Sequence, residues 1–162
     1  MSSGLPVIMR FLPSARIVVI AADPDHLAFL CSALSALGLS RVLPAASLSD
    51  ARRLESEGRV DLCVVDERGL AGTTANSQQH LVSNPFEASR TPAILIAEGT
   101  SVTRLQAATA AGYCAVLGVP VVPRLLYRRI GSILQKTRRA GPGSNLAVIA
   151  RHIPAGVDSL KS

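Results

Sequence analysis

Asp61-Leu62-Cys63-Val64-Val65-Asp66 is a run of four apolar residues set between two acids. A short apolar run bounded by turn signals reads as a strand buried on both faces. The polar loop Glu67-Arg68-Gly69-Leu70-Ala71-Gly72 follows it. A carboxylate at the C-terminal end of such a strand, here Asp66, lies where open α/β sheets place their chemistry.

Working outward, the same signature recurs. Arg16-Ile17-Val18-Val19-Ile20-Ala21 is a β-branched run that stops at Asp23-Pro24, an N-cap followed by proline at the first helical position. A helix follows through Leu37, with Leu27, Leu30, Cys31, Leu34 and Leu37 on one face, and Gly38 stops it. Residues 41–45 form a weak second strand, and Ser47 or Ser49 caps a helix running to about Glu57. Residues 67–91 are polar and poorly periodic, with a short helix expected near 75–82. Pro92–Ala97 is a fourth strand. Thr100 or Ser101 opens a helix through Ala111, and Cys114–Leu117 is a fifth strand. Pro120 and Pro123 bracket a turn before a last helix, Arg124–Arg139.

Apolar strands alternating with helices require a parallel sheet covered on both faces. Right-handed crossovers favour the flavodoxin-like order 2-1-3-4-5, an α/β fold of (βα)5 type. That order gathers the ends of strands one, three, four and five around one pocket. The expected organisation is an N-terminal extension, residues 1–14, a domain over 15–139, and a C-terminal tail, 140–162.

Composition narrows the function classes. Aromatics make up 3% of the chain and Trp is absent, which argues against stacking platforms for single-stranded nucleic acid. Cys31, Cys63 and Cys114 lie far apart in apolar surroundings and read as core thiols of a cytoplasmic protein, neither a disulfide framework nor a zinc site. No apolar run approaches the roughly 20 residues that span a bilayer. Residues 1–13 include Val7-Ile8-Met9 and Phe11-Leu12 with no basic stretch ahead of them, a poor signal peptide. An extra strand, a segment that docks on a partner and a disordered leader all fit them. His26, His80 and His152 are scattered; His26 is expected to be an exposed first-turn residue. No metal site or catalytic residue is expected, and no cofactor.

The net charge of +6 is unevenly placed. Residues 1–122 hold nine basic and ten acidic side chains, whereas 123–139 hold six basic ones and no acid. At 100° per residue Leu126, Ile130, Ile133 and Leu134 share one side of the last helix, and Arg124, Arg128, Arg129, Lys136 and Arg139 share the other. Two readings fit this face: a solvated surface whose charges suit the helix C-terminus, or a docking surface for an acidic partner. Nothing in the chain reads bases, so nucleic acid is not the expected partner.

Four segments together resemble the receiver domain of bacterial response regulators (CheY-like): Ile17–Pro24, Asp61–Asp66, Thr91–Ala97, and Ala111–Leu117 followed by Pro120. The resemblance covers about residues 15–139, and the interval from Asp66 to Ala97 is a normal one for receivers. It implies that Asp66 stands where receivers are phosphorylated. It also implies two Mg²⁺-binding acids after strand one, a hydroxyl ending strand four and a lysine ending strand five. This chain has Ala21, Ala22, Ala97 and Val119 there (Gly118 if the register slips by one). An alanine side chain cannot supply the oxygen ligands that Mg²⁺ demands. The aromatic relay of strand five is missing too: the position falls near Ala115, and Tyr113 belongs to the preceding turn. Asp23, Glu67 and Glu98 flank the pocket, and Arg68 is placed to pair with Asp66 in the role of a cation.

These residues lead to a degenerate pseudo-receiver of two-component signalling. It is expected to be non-catalytic and cytoplasmic, and to work by protein–protein contact independently of phosphorylation. The expected contact surface is Arg124, Arg128, Arg129 and Lys136, with homodimerisation through the face made by helix four, strand five and helix five. The alternatives are a phosphoacceptor using Asp66, and a binder of anions or cyclic dinucleotides using the basic helix.

Overall fold

The structure, a computed structural model, describes residues 14–68, 70 and 82–140, without the side chains of 138–140. Five parallel strands form one sheet: β1 (Arg16–Ile20), β2 (Arg41–Ala45), β3 (Leu62–Asp66), β4 (Ala93–Ala97) and β5 (Ala115–Gly118), in the order β2-β1-β3-β4-β5. Four α-helices among the described residues accompany them: α1 (Pro24–Ala36), α2 (Leu48–Glu57), α3 (Val102–Ala110) and α4 (Pro123–Ala140). This is the flavodoxin-like sheet that the alternation of strands and helices predicts.

The two central strands are buried along their whole length, which is why they read as continuous apolar runs rather than alternating ones. Alternation decides which layer each residue joins. Ile17, Val19, Leu62, Val64, Ile94 and Ile96 face the layer containing Leu30 of α1 and Leu126 of α4. Val18, Ile20, Cys63, Val65, Ala93 and Leu95 face Ala51 of α2 and Ala108 of α3. β2 lies at the edge and is mostly exposed or half-buried; Pro44 fits there because an edge strand can forgo a ladder donor.

Local signals set the helix ends. The Asp23 carboxylate accepts from the amides of Asp25 and His26, with Pro24 opening α1. Ser47 caps α2 and Ser101 caps α3, which resolves the two alternatives at each start. Gly38 and Gly112 take left-handed backbone angles, φ 118° and 93°, at the ends of α1 and α3. β5 runs one residue later than its expected span, because Cys114 donates its amide to Ala93 from the approach to the strand.

A short 3-10 turn, Glu87–Ser89, follows β3 and was not legible in the polar sequence. Asn84 anchors it, donating to the carbonyls of Thr91 and Gly112 and accepting from Phe86 N. The helix expected near 75–82, the N-terminal extension up to residue 13, the tail from residue 141 and His80 and His152 lie outside the described residues. The cysteines are free; Cys63 and Cys114 are buried, whereas Cys31 is only half-buried, since its position on α1 lies at the margin of the packed stripe.

Candidate functional site

Asp66 is the last residue of β3 and is 3% exposed. Alternation turns its side chain to the same layer as Leu62 and Val64, the side covered by α1. Both of its oxygens are engaged. Oδ1 accepts from the Arg68 amide and from Arg68 Nε, each at 3.0 Å, and Oδ2 accepts from Arg68 Nη2 at 2.7 Å. This is the forked geometry that suits guanidinium to carboxylate. The contact holds the guanidinium above its usual basicity, chiefly through the hydrogen bonds to Asp66. Burial opposes the shift, and the charges of Asp66, Glu98 and Asp23 add to it. Arg68 therefore sits as the cation in a field of carboxylates.

His26 completes the enclosure. Its Nε2 lies 3.0 Å from Asp66 Oδ2, within ion-pair distance but off the line of a hydrogen bond. Its side chain is 18% exposed, not the open first-turn residue expected from sequence. The correction has a local cause. Asp23 binds the His26 amide, and this fixes the first turn with His26 rotated over the end of β3. Its ring also stacks on Phe29, centroid to centroid at 6.3 Å.

Glu67 points elsewhere. It forms an ion pair with Arg104 in the first turn of α3, and its amide donates to Ile96 O at 3.2 Å. Asp66 and Glu67 thus join consecutive residues of one loop to helices in both layers of the sheet, α1 through His26 and α3 through Arg104.

Receivers bind Mg²⁺, and the residues here do not fit that ion. Ala21, which is buried, and Ala22, half-buried, contribute only methyl groups at the end of β1. The Asp66 oxygens are taken up by Arg68 and His26. No cluster of three or more His, Cys, Asp or Glu side chains gathers among the described residues. Ala97, buried at the end of β4, offers no hydroxyl. Val119 follows β5 and packs against the apolar layer beneath α1 and α4, ahead of a cis bond to Pro120.

β5 itself, Ala115-Val116-Leu117-Gly118, carries no aromatic ring. Tyr113 precedes it, is 2% exposed, and donates its hydroxyl to Val82 O. Burial pushes this phenol well above its ordinary range. The ring is a fixed part of the core.

The basic helix presents Arg124 and Arg128 exposed, with Arg129 and Lys136 half-buried, while Leu126, Ile130 and Ile133 face the core. Between these charges lie uncovered apolar side chains, Val122 at 56% and Leu125 at 42% exposure. Sequence reading missed two partners, His26 for Asp66 and Arg104 for Glu67. The available signal was topological: each sits in the first turn of a helix that starts where a neighbouring strand of the pocket ends.

The chain has the fold of CheY-like response regulator receiver domains. It is similar to a receiver domain protein from Methanospirillum hungatei JF-1 at 20% identity and TM-score 0.64, over 78% of this chain and 98% of that one. A two-component response regulator from Clostridium difficile aligns at 18% identity and TM-score 0.62, over 75% and 97%. A putative pilus assembly protein (cpaE) from Burkholderia thailandensis E264 aligns at 24% identity and TM-score 0.53, over 73% and 98%. At these identities the likeness is one of fold. No protein-family model and no curated protein matches the chain.

Proposed function

We propose that this chain is a non-catalytic signalling module, a pseudo-receiver that works by protein–protein contact without phosphorylation of Asp66. The observation that carries the proposal is the closure of Asp66 by Arg68 and His26. A carboxylate must present a free oxygen to attack a phosphoryl group, and the transferred group needs a metal or equivalent charge in line with it. Here both oxygens are held and the neighbouring positions are Ala21, Ala22, Ala97 and Val119.

The proposed contact surface is the exposed side of α4, with Arg124, Arg128, Arg129 and Lys136 around Val122 and Leu125. An apolar centre with a charged rim is the usual build of an interface. Its charge suits an acidic protein partner, or acids brought by a second copy of the chain, in the cytoplasm of a bacterium.

The test is amide NMR of the wild type and of Asp66→Ala with Mg²⁺, then with Mg²⁺ and beryllofluoride. Spectra that do not change support a structural Asp66. Shifts around Asp66 that vanish in the variant would establish a working phosphoacceptor instead.

A further inference from the structure

Asp66 and Glu67 are neighbours in the chain, yet their side chains anchor helices in opposite layers of the sheet, α1 and α3. Alternation at the end of β3 sends them to opposite sides, and one planar peptide unit separates them. That unit is itself held, since the Glu67 amide donates to Ile96 O at 3.2 Å. Both side chains are largely buried, Asp66 at 3% and Glu67 at 11% exposure. They therefore move with their shared backbone rather than independently through solvent.

The arm to α1 is the weaker of the two. A carboxylate offers roughly four acceptor sites. Arg68 fills three of those on Asp66, through its amide, Nε and Nη2. The last, on Oδ2, faces His26 Nε2 at 3.0 Å, off the line of a hydrogen bond. A small shift of Asp66 is enough to open this contact. The arm to α3 is the ion pair of Glu67 with Arg104. Arg104 Nε is buried without a partner among the described residues, so the guanidinium depends on Glu67 to hold it.

Each arm ends at the start of a helix, beside an exposed apolar side chain. His26 stacks on Phe29, which is 50% exposed. Arg104 lies two residues after Val102, which is 52% exposed. Two surfaces open to protein contact are thus joined through the same two consecutive acids.

From this arrangement we propose that Asp66-Glu67 is a crossbar that couples the first turns of α1 and α3. A protein that seats on Val102 and draws Arg104 from Glu67 shifts the crossbar, opens the His26 contact and loosens α1 around Phe29. The two states differ in named contacts, both arms closed or both released, as coupling between distinct sites requires. The coupling belongs to the unphosphorylated chain and is independent of whether Asp66 can take a phosphoryl group.

The test is amide hydrogen exchange of the full chain, read by NMR at three equivalent positions. The amides of Leu27, Ala51 and Leu105 donate to the cap carbonyls of Asp23, Ser47 and Ser101 at 2.9, 3.1 and 2.9 Å, at the starts of α1, α2 and α3. Arg104→Ala should speed exchange at Leu105 and, across the sheet, at Leu27, each by at least about twofold. Ala51 of α2 should stay unchanged. His26→Ala should speed Leu27 and, reciprocally, Leu105. In the His26→Ala background, adding Arg104→Ala should no longer affect Leu27. Glu67→Gln keeps the side-chain volume and removes the charge; it should act in the same direction and supplies the reading if Arg104→Ala does not fold. Thermal melts establish that each variant is folded. An unchanged Leu27 in Arg104→Ala, or in Glu67→Gln in its place, overturns the proposal. So does a rise shared by Ala51, which marks general loosening, or an effect on Leu27 that survives the loss of His26.

Discussion

Arg68 holds Asp66 by both carboxylate oxygens, Nε to Oδ1 at 3.0 Å and Nη2 to Oδ2 at 2.7 Å, two residues along the same loop. The partners are unequally buried, Asp66 at 3% and Arg68 at 37% side-chain exposure. Removing Arg68 leaves a buried carboxylate without its main partner, whereas removing Asp66 frees a guanidinium that water can reach.

Arg68→Ala is therefore expected to cost more than Asp66→Ala. Part of the cost is offset by the solvent already at Arg68, so about 1–2 kcal/mol is expected. Urea melts of both single variants and the double variant measure it. The double variant should be less destabilised than the sum of the singles, because the pair acts as a unit.

Rebuilding the metal site needs a removal as well as an addition. Ala22→Asp alone places a second carboxylate near a cation that is already present, the Arg68 guanidinium. Mg²⁺ should raise the melting temperature of Ala22→Asp combined with Arg68→Ala, and should leave wild type and Ala22→Asp unchanged. A Mg²⁺-dependent rise in wild type would show that Arg68 does not fill the cation's place.

Arg104 ties α3 to the loop after β3 through Glu67, and the pair is largely shielded, at 24% and 11% side-chain exposure. Arg104→Ala is expected to destabilise by about 1–2 kcal/mol and to speed amide exchange in the first turn of α3, read by hydrogen-exchange mass spectrometry. Unchanged exchange there would mean that α3 is held by its apolar contacts alone.

Alkaline pH should loosen the fold. Burial pushes the Cys63 thiol and the Tyr113 phenol far above their ordinary values of 9.0 and 10.0. The folded protein keeps both protons where the unfolded chain loses them. Their contribution is intact below the unfolded values and declines as pH rises past them. Urea midpoints should fall above about pH 9 and more steeply above about pH 10, and Cys63→Ala should lessen the first part of the decline, to which the thiols of Cys31 and Cys114, also raised by burial, contribute. Cys31, half-buried, should react with a thiol reagent in the native state before Cys63 and Cys114.

The buried runs around Val18, Val64 and Leu95 and the cap at Asp23 were legible because each obeys a local rule of spacing or capping, and the caps at Ser47 and Ser101 were legible to within two candidates each. Strand order followed from connection rules alone. The lack of side-chain oxygens at Ala21, Ala22 and Ala97 was legible for another reason: a methyl side chain carries no oxygen wherever the fold places it. The pairing of Arg68 with Asp66 was within reach as well, since the two are neighbours in sequence.

His26 over Asp66 and Arg104 against Glu67 were decided by the tertiary structure. These pairs span 40 and 37 residues of chain, and neither has a periodic or capping signal. Local sequence determined which segments became strands and helices, through burial patterns that act over a few residues. Which charges neutralise one another depended on strand order and helix placement, because electrostatic contacts form between whatever side chains the folded sheet brings within reach.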